Sequence, residues 1–193
     1  MGKKIGLLAL QGAFREHGAI MRELGCEVRE VRQKKHLAGI DALIIPGGES
    51  TTIGKLLTDL DMLEETRAMI AGGLPVYGSC AGLILLCKTI ADSEQPRIGL
   101  LDATVRRNAF GRQVDSFECP LPVPALGAEP FPAVFIRAPL IEAAGKDVEI
   151  MAEVEMGGAM RPVAARQKNI LATAFHPELT RDMRFHEYFL KMV

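Results

Sequence analysis

The stretch Gly73-Leu74-Pro75-Val76-Tyr77-Gly78-Ser79-Cys80-Ala81-Gly82-Leu83-Ile84-Leu85-Leu86 leaves the chain little choice of local fold. It opens as a short apolar run bounded by Gly-Gly and Pro, which reads as a buried strand, and closes as an apolar run able to begin a buried helix. Between them lies Gly-x-Cys-x-Gly, with no residues to spare for a loop. A strand that reverses directly into a helix forces its apex residue into a strained backbone, so the neighbours must lack clashing side chains. Gly78 and Gly82 meet that need, and the apex is Cys80. This is a nucleophile elbow built with sulfur. At the start of a helix, a thiol faces unpaired N–H groups and the positive end of the dipole, which favour the attacking thiolate. The next N–H, that of Ala81, is placed to receive an oxyanion. The plain alternative is a small buried cysteine in a strand–helix turn.

Around this element the chain alternates. Lys4–Leu10 is a near-continuous apolar run, as in a parallel strand covered on both faces. Phe14, His17, Ile20, Met21 and Leu24 then recur at helical spacing, closed by Gly25. Glu27–Val31 and Ala42–Ile45 read as strands, Ile53–Leu57 and Met62–Ile70 as helices. Short connections between alternating strands and helices specify an α/β fold: an open, mostly parallel sheet with helices on both faces. Beyond Lys88 the pattern turns β-rich from Leu100 to Val123, with a proline-crowded loop up to Pro132. Ala133–Ile136 and Val148–Val154 are strand candidates, Arg161–Gln167 and Asn169–Ala174 a hairpin or adjacent pair. A last helix starts near Met183. No repeat or linker divides the chain, so 193 residues are expected to form one domain.

Composition excludes several classes of function. A formal charge of −1 with 48% hydrophobic residues gives no basic excess for nucleic acid and no patch for a membrane surface. No apolar run approaches a membrane span and no leader precedes the first strand. Four cysteines without a Cys-x-x-Cys spacing point to a reduced, cytoplasmic protein with no disulfide framework and no metal site.

A thiol nucleophile needs a base, and the base an orienting group. Of His17, His36, His176 and His186, His176 alone follows a buried strand, Ile170–Phe175, at its carboxyl end. That edge is where open α/β sheets place their sites. Glu178 lies two residues on, pointing the same way in an extended chain, with Pro177 stiffening the link. Pro46-Gly47-Gly48-Glu49-Ser50 ends another strand. Its glycines let backbone amides approach a ligand as an oxyanion hole requires, although an ordinary turn capped by Ser50 or Thr51 would read the same. Nothing in the chain supports nucleotide binding.

Gly78–Gly82, Pro46–Thr51 and His176-Pro177-Glu178 together resemble the class I (triad) glutamine amidotransferases. Leu10–His17, Arg107–Glu118 and Phe135–Pro139 narrow the resemblance to the glutaminase subunits of pyridoxal 5′-phosphate synthase, over nearly the whole chain. The resemblance implies a flavodoxin-like three-layer domain without cofactor or metal. It implies hydrolysis of L-glutamine to glutamate and ammonia by Cys80, His176 and Glu178 through a γ-glutamyl thioester. Glutamine binding falls on Gly48, Glu49, Ser50, Arg107, Ile136 and Arg137, where an arginine pairs sensibly with the substrate carboxylate. The oxyanion falls to the amides of Ala81 and of Gly47 or Gly48. The implied partner is a (β/α)8-barrel synthase subunit in a large hetero-oligomer, met through the Gln11–His17 segment, with Gln11 and His17 as contact candidates. Competing readings are another cysteine hydrolase of similar architecture, peptidase or deglycase-like, and a non-catalytic partner-binding subunit.

Overall fold

The structure, a computed structural model, describes residues 2–107 and 116–193. Residues 108–115, most of the Arg107–Glu118 block, lie outside the described residues.

Twelve strands and five α-helices follow in the order β1 (Lys4–Leu8), α1 (Phe14–Glu23), β2 (Glu27–Val31), β3 (Ala42–Ile45), α2 (Ser50–Asp59), α3 (Leu63–Ala71), β4 (Val76–Ser79), α4 (Ala81–Leu86), β5 (Cys87–Ile90), β6 (Leu101–Arg106), β7 (Ser116–Leu121), β8 (Phe131–Ile136), β9 (Leu140–Ala144), β10 (Glu149–Met156), β11 (Ala159–Gln167), β12 (Ile170–Thr173) and α5 (Arg184–Leu190). Seven strands form the main sheet in the order β10-β11-β12-β4-β3-β1-β2. It is parallel from β12 to β2, and β10 and β11 add an antiparallel edge. Two small sheets, β5-β6-β9 and β7-β8, complete the β structure of the described residues.

The central strands β3, β4 and β12 are buried at every residue, as their unbroken apolar runs require. Adjacent residues of β4 show the layering, because successive side chains point to opposite faces. Tyr77 meets His17 of α1 and His186 and Phe189 of α5 on one face. Gly78 on the other lies against Gly82 and Leu86 of α4. Helices therefore cover both faces. Phe185 meets Phe131 and Phe175 edge-on at the end of β12, and those two rings lie tilted against each other. Each such burial contributes about 1.5–3 kcal/mol and fixes the segment that carries His176.

The apolar run after the elbow forms the expected helix, six residues long, and runs straight into β5, which was not foreseen, because an apolar run does not by itself distinguish buried helix from buried strand. β9 was not foreseen either. Its alternation is short, with Glu142 to Ala144 facing solvent.

Close approach explains the elbow glycines. A Cβ on Gly82 would stand 2.2 Å from the Ile45 carbonyl oxygen of β3, and one on Gly78 2.6 Å from the Gly82 carbonyl carbon. Both neighbours are backbone in the sheet–helix seam and cannot rotate away. Gly82→Ala is expected to cost about 1–3 kcal/mol, read as a lower urea midpoint with unchanged slope. An unchanged midpoint would show that the seam can open.

Candidate active site

The register of three parallel strands assembles the site. β4 pairs with β12 so that Ser79 faces Thr173, and with β3 so that Gly78 faces Ile45. The chain just beyond each strand end, carrying Cys80, His176 and Gly47, therefore emerges at one carboxyl edge. The Cys80 N–H donates to Thr173 O at 2.8 Å, locking the elbow onto β12. Cys80 itself has φ 47° and ψ −99°, a strained conformation for a side-chain-bearing residue. Its side chain is 7% exposed, close to the pocket floor.

His176 is held by its N–H on Val134 O at 2.8 Å, and the Nδ1–Glu178 Oε1 distance is 2.7 Å. A hydrogen bond also joins the imidazole to the Cys80 thiol. Burial pushes the His176 pKa down. The bonds to Cys80 and Glu178 outweigh that and carry it up to about 10. Burial pushes the Glu178 carboxyl up, but His17 and His176 beside it hold it below the usual range. The three expected catalytic side chains therefore meet in one place.

A pocket of about 190 Å³ opens over them, lined by Gln11, Gly48, Glu49, Ser50, Cys80, Ile84, Arg107, Ile136, Arg137 and His176. All six residues expected to bind substrate lie in that wall. The volume falls below the range of about 300–1,000 Å³ usual for drug-sized ligands and suits a molecule the size of an amino acid. A larger hollow of about 920 Å³ at the opposite edge, around Lys3, Cys26, Asp41 and Val193, has no histidine in its lining.

Two guanidinium groups face the pocket. Arg107 Nη1 donates to Gln95 Oε1 at 3.1 Å, and Nη2 stands 3.8 Å from Glu49. Arg137, in a left-handed conformation with φ 42°, pairs with no carboxylate among the described residues. Ser50 Oγ reaches Gln95 Oε1 at 3.4 Å. The capping position of α2 belongs to Glu49 without a side-chain cap, so neither Ser50 nor Thr51 acts as the cap of an ordinary turn.

The Pro46–Ser50 loop is not arranged wholly as expected. The Gly47 N–H donates to Ser79 Oγ at 3.0 Å and Gly47 O accepts from Ala13 N at 3.0 Å. That amide is spent within the protein and is not free for an oxyanion, whereas the Gly48 and Ala81 N–H groups have no acceptor among the described residues. Gln11 is tied to the same loop, its Oε1 accepting from Glu49 N at 2.7 Å. His17 does not lie on a contact surface. It is fully buried, 3.0 Å from Ser79 Oγ and 3.4 Å from Glu178 Oε2, because the apolar stripe of α1 turns its ring against the sheet.

Sequence reasoning missed Ile84, Gln95 and Ser79. Ser79 stood inside the elbow motif and could have been weighed as a polar side chain in a buried strand. Gln95 sits in a loop and carried no signal.

Among the described residues no group of three or more His, Cys, Asp or Glu could hold a metal ion, and no helix is long and apolar enough to cross a membrane.

A sequence model described as the SNO glutamine amidotransferase family matches residues 7–193. The chain is 57% identical over 190 residues to the pyridoxal 5′-phosphate synthase subunit PdxT of Moorella thermoacetica, covering 98% of this chain and 99% of that one. It is 56% identical to the PdxT of Pelotomaculum thermopropionicum, covering 97% and 94%. A crystal structure of a glutamine amidotransferase superposes with TM-score 0.90 at 52% identity, covering 97% of each chain. PurLQS from Thermotoga maritima, at 16% identity and TM-score 0.69, shares the fold.

The carboxylate of Glu178 is one of the groups that raise the His176 pKa. In Glu178→Gln the NMR titration midpoint of the His176 ring should fall from about 10 towards its ordinary value. A midpoint that stays put would assign the shift to Cys80 alone. A raised histidine pKa stabilises the fold below the unfolded value and loses that contribution as pH climbs through the folded one. The wild-type chain should accordingly lose stability between about pH 6.5 and 10 more steeply than the variant.

Proposed function

The chain belongs to the SNO glutamine amidotransferase family, and on that premise we propose that it is the glutaminase subunit of a pyridoxal 5′-phosphate synthase. It hydrolyses L-glutamine to L-glutamate and ammonia and hands the ammonia to a synthase subunit in vitamin B6 biosynthesis. The observation that carries this reading is the strained Cys80, hydrogen-bonded to a His176–Glu178 pair at the base of a pocket with two arginines.

The chemistry follows from the positions. Cys80 Sγ attacks the side-chain carboxamide carbon of glutamine, and the carbonyl electron pair moves onto oxygen. His176 gives its proton to the departing amide nitrogen, the C–N bond breaks, ammonia leaves and a γ-glutamyl thioester remains. Water then adds to the thioester carbon while His176 takes its proton. The C–S bond breaks, releasing glutamate and the thiolate. Glu178 keeps the proton on His176 Nδ1 and so leaves the other ring nitrogen for the sulfur. Arg137 and Arg107 take the substrate α-carboxylate, and Gly48, Glu49, Ser50 and Ile136 shape the rest of the pocket. Supported by the continuous run of matched residues, the whole of 1–193 acts as one glutaminase domain. It works in the cytoplasm with no cofactor of its own.

Ala81 N–H is one oxyanion donor. The second is Gly48 N–H, or Gly47 N–H once its bond to Ser79 Oγ is given up. A partner reaches this loop through Gln11, whose carboxamide already holds Glu49 N. Docking of a (β/α)8-barrel synthase subunit, in a large hetero-oligomer, would therefore complete the hole through a rearrangement at Gly47-Gly48.

One oxyanion donor is worth about 10²–10³ in kcat. Adding the synthase subunit should raise ammonia release from glutamine by about that factor, and Cys80→Ala should abolish it in either condition. Equal rates with and without the synthase would remove the docking step. No ammonia from the wild-type complex would remove the glutaminase reading itself.

A further inference from the structure

Behind the Glu178 carboxylate lies a buried pair of imidazoles to which the reaction described above gives no task. His17 comes from α1 and His186 from α5, and both are fully buried. The His17 Nδ1–His186 Nε2 distance is 2.9 Å. His17 Nε2 stands 3.0 Å from Ser79 Oγ and 3.4 Å from Glu178 Oε2. The front oxygen of Glu178 is spent on His176 Nδ1. The rear oxygen, Oε2, makes no conventional hydrogen bond among the described residues, and a buried carboxylate oxygen left in that state is costly.

Burial pushes the pKa of both rings down, so each carries one ring proton. Two arrangements of these protons are available. If His17 carries its proton on Nδ1, a bare nitrogen lone pair faces the carboxylate oxygen at 3.4 Å. His186 would then hold its proton on Nδ1, a buried atom with no acceptor. If instead each ring carries its proton on Nε2, His186 donates to His17, and the His17 N–H donates to Ser79 Oγ with its positive end 3.4 Å from Glu178 Oε2. The buried charge then faces an N–H dipole rather than a lone pair, and His186 is left with only an unpaired lone pair on Nδ1. The second arrangement is the stable one.

We propose that His17 is a positioning residue for the proton relay, its Nε2–H holding the rear oxygen of Glu178 while His186 sets its tautomer. The role rests on the glutaminase reading. A carboxylate held at both oxygens cannot swing about its Cγ–Cδ bond, so His176 keeps one tautomer and one ring plane through both halves of the reaction. Ser79 Oγ, which also receives the Gly47 N–H, links this rear support to the oxyanion loop. A purely structural need for bulk at this position would be met by a leucine, and burying polar rings without a task costs stability.

The test uses the complex with the synthase subunit and measures ammonia release against glutamine concentration. In His17→Gln the side-chain amide places an N–H near the Nε2 position, whereas His17→Asn reaches only the Nδ1 position. A hydrogen bond to a charged group is worth about 1.5–3 kcal/mol. His17→Asn should therefore lose about ten- to a hundredfold in kcat with KM within about twofold, and His17→Gln should recover to within about threefold of wild type. His186→Phe removes the donor from the other end of the pair and should give the same kcat-only loss, which keeps the test open if a His17 variant unfolds. Asn and Gln variants that are equally poor at equal unfolding midpoints would overturn the role. So would a loss confined to KM, or full activity in all three variants. Were the wild-type complex itself to release no ammonia, the glutaminase reading and this role would fall together, an outcome distinct from each of those.

Discussion

The parallel register of β4 between β3 and β12 is the constraint on which the site depends. Ser79 opposite Thr173 and Gly78 opposite Ile45 set the height at which three different loops leave the sheet. Side chains alternate with period two, so a slip of one residue would turn Tyr77 and Gly78 to the wrong faces. Tyr77 would then strike α4, and the space that Gly78 keeps open for Gly82 and Leu86 would close. The core thus enforces the register, and the register delivers Cys80, His176 and Gly47 to one point. Apolar burial and active-site geometry are two readings of the same strand pairing.

From that point outward the site is held together by electrostatics. Each polar group at the base of the pocket has lost water and is compensated by a particular neighbour. Cys80 and Glu178 compensate His176, and His176 and His17 compensate Glu178. The outcome is a paired imidazole whose proton affinity is set by two groups on separate strands or loops. The pocket's arginines show the complementary condition. Arg107 is steadied by Gln95, while Arg137 is held in a left-handed backbone and pairs with no carboxylate among the described residues.

What the sequence disclosed and what it hid divide along the same line. Strands Glu27–Val31 and Ala42–Ile45 were legible to the residue, the second because a buried parallel strand announces itself as an apolar run between turn residues. The nucleophile turn was legible because backbone sterics demand glycines at Gly78 and Gly82. The His176–Glu178 pair was legible because two residues of extended chain fix the direction of a side chain. The bond from Gly47 N–H to Ser79 Oγ was not, since it joins residues thirty-two positions apart through packing that no local pattern encodes. His17 shows the difference most clearly. Its place in an apolar stripe at helical spacing already implied a ring turned inward, yet its nearness to Gln11 drew it towards the surface reading.

The inward turn of His17 changes how the molecule is understood. α1 begins just past the Gln11–Ala13 segment, whose atoms bond to the Gly47–Glu49 loop, and one turn later it sends His17 beneath the same loop to Ser79 and Glu178. The segment and its helix therefore meet the Gly47–Glu49 loop from one side through main-chain and Gln11 contacts, and the Glu178 carboxylate from the other through an imidazole. α5 closes the grip through His186, and Tyr77 seals its side against both rings. Buried polar groups are poor contributors to net stability, and a core assembled only for stability would place leucine and phenylalanine here. Their presence between a nucleophile elbow and the terminal helix makes sense when orientation is the quantity being conserved, because a hydrogen-bonded ring admits one angle where an apolar side chain tolerates several.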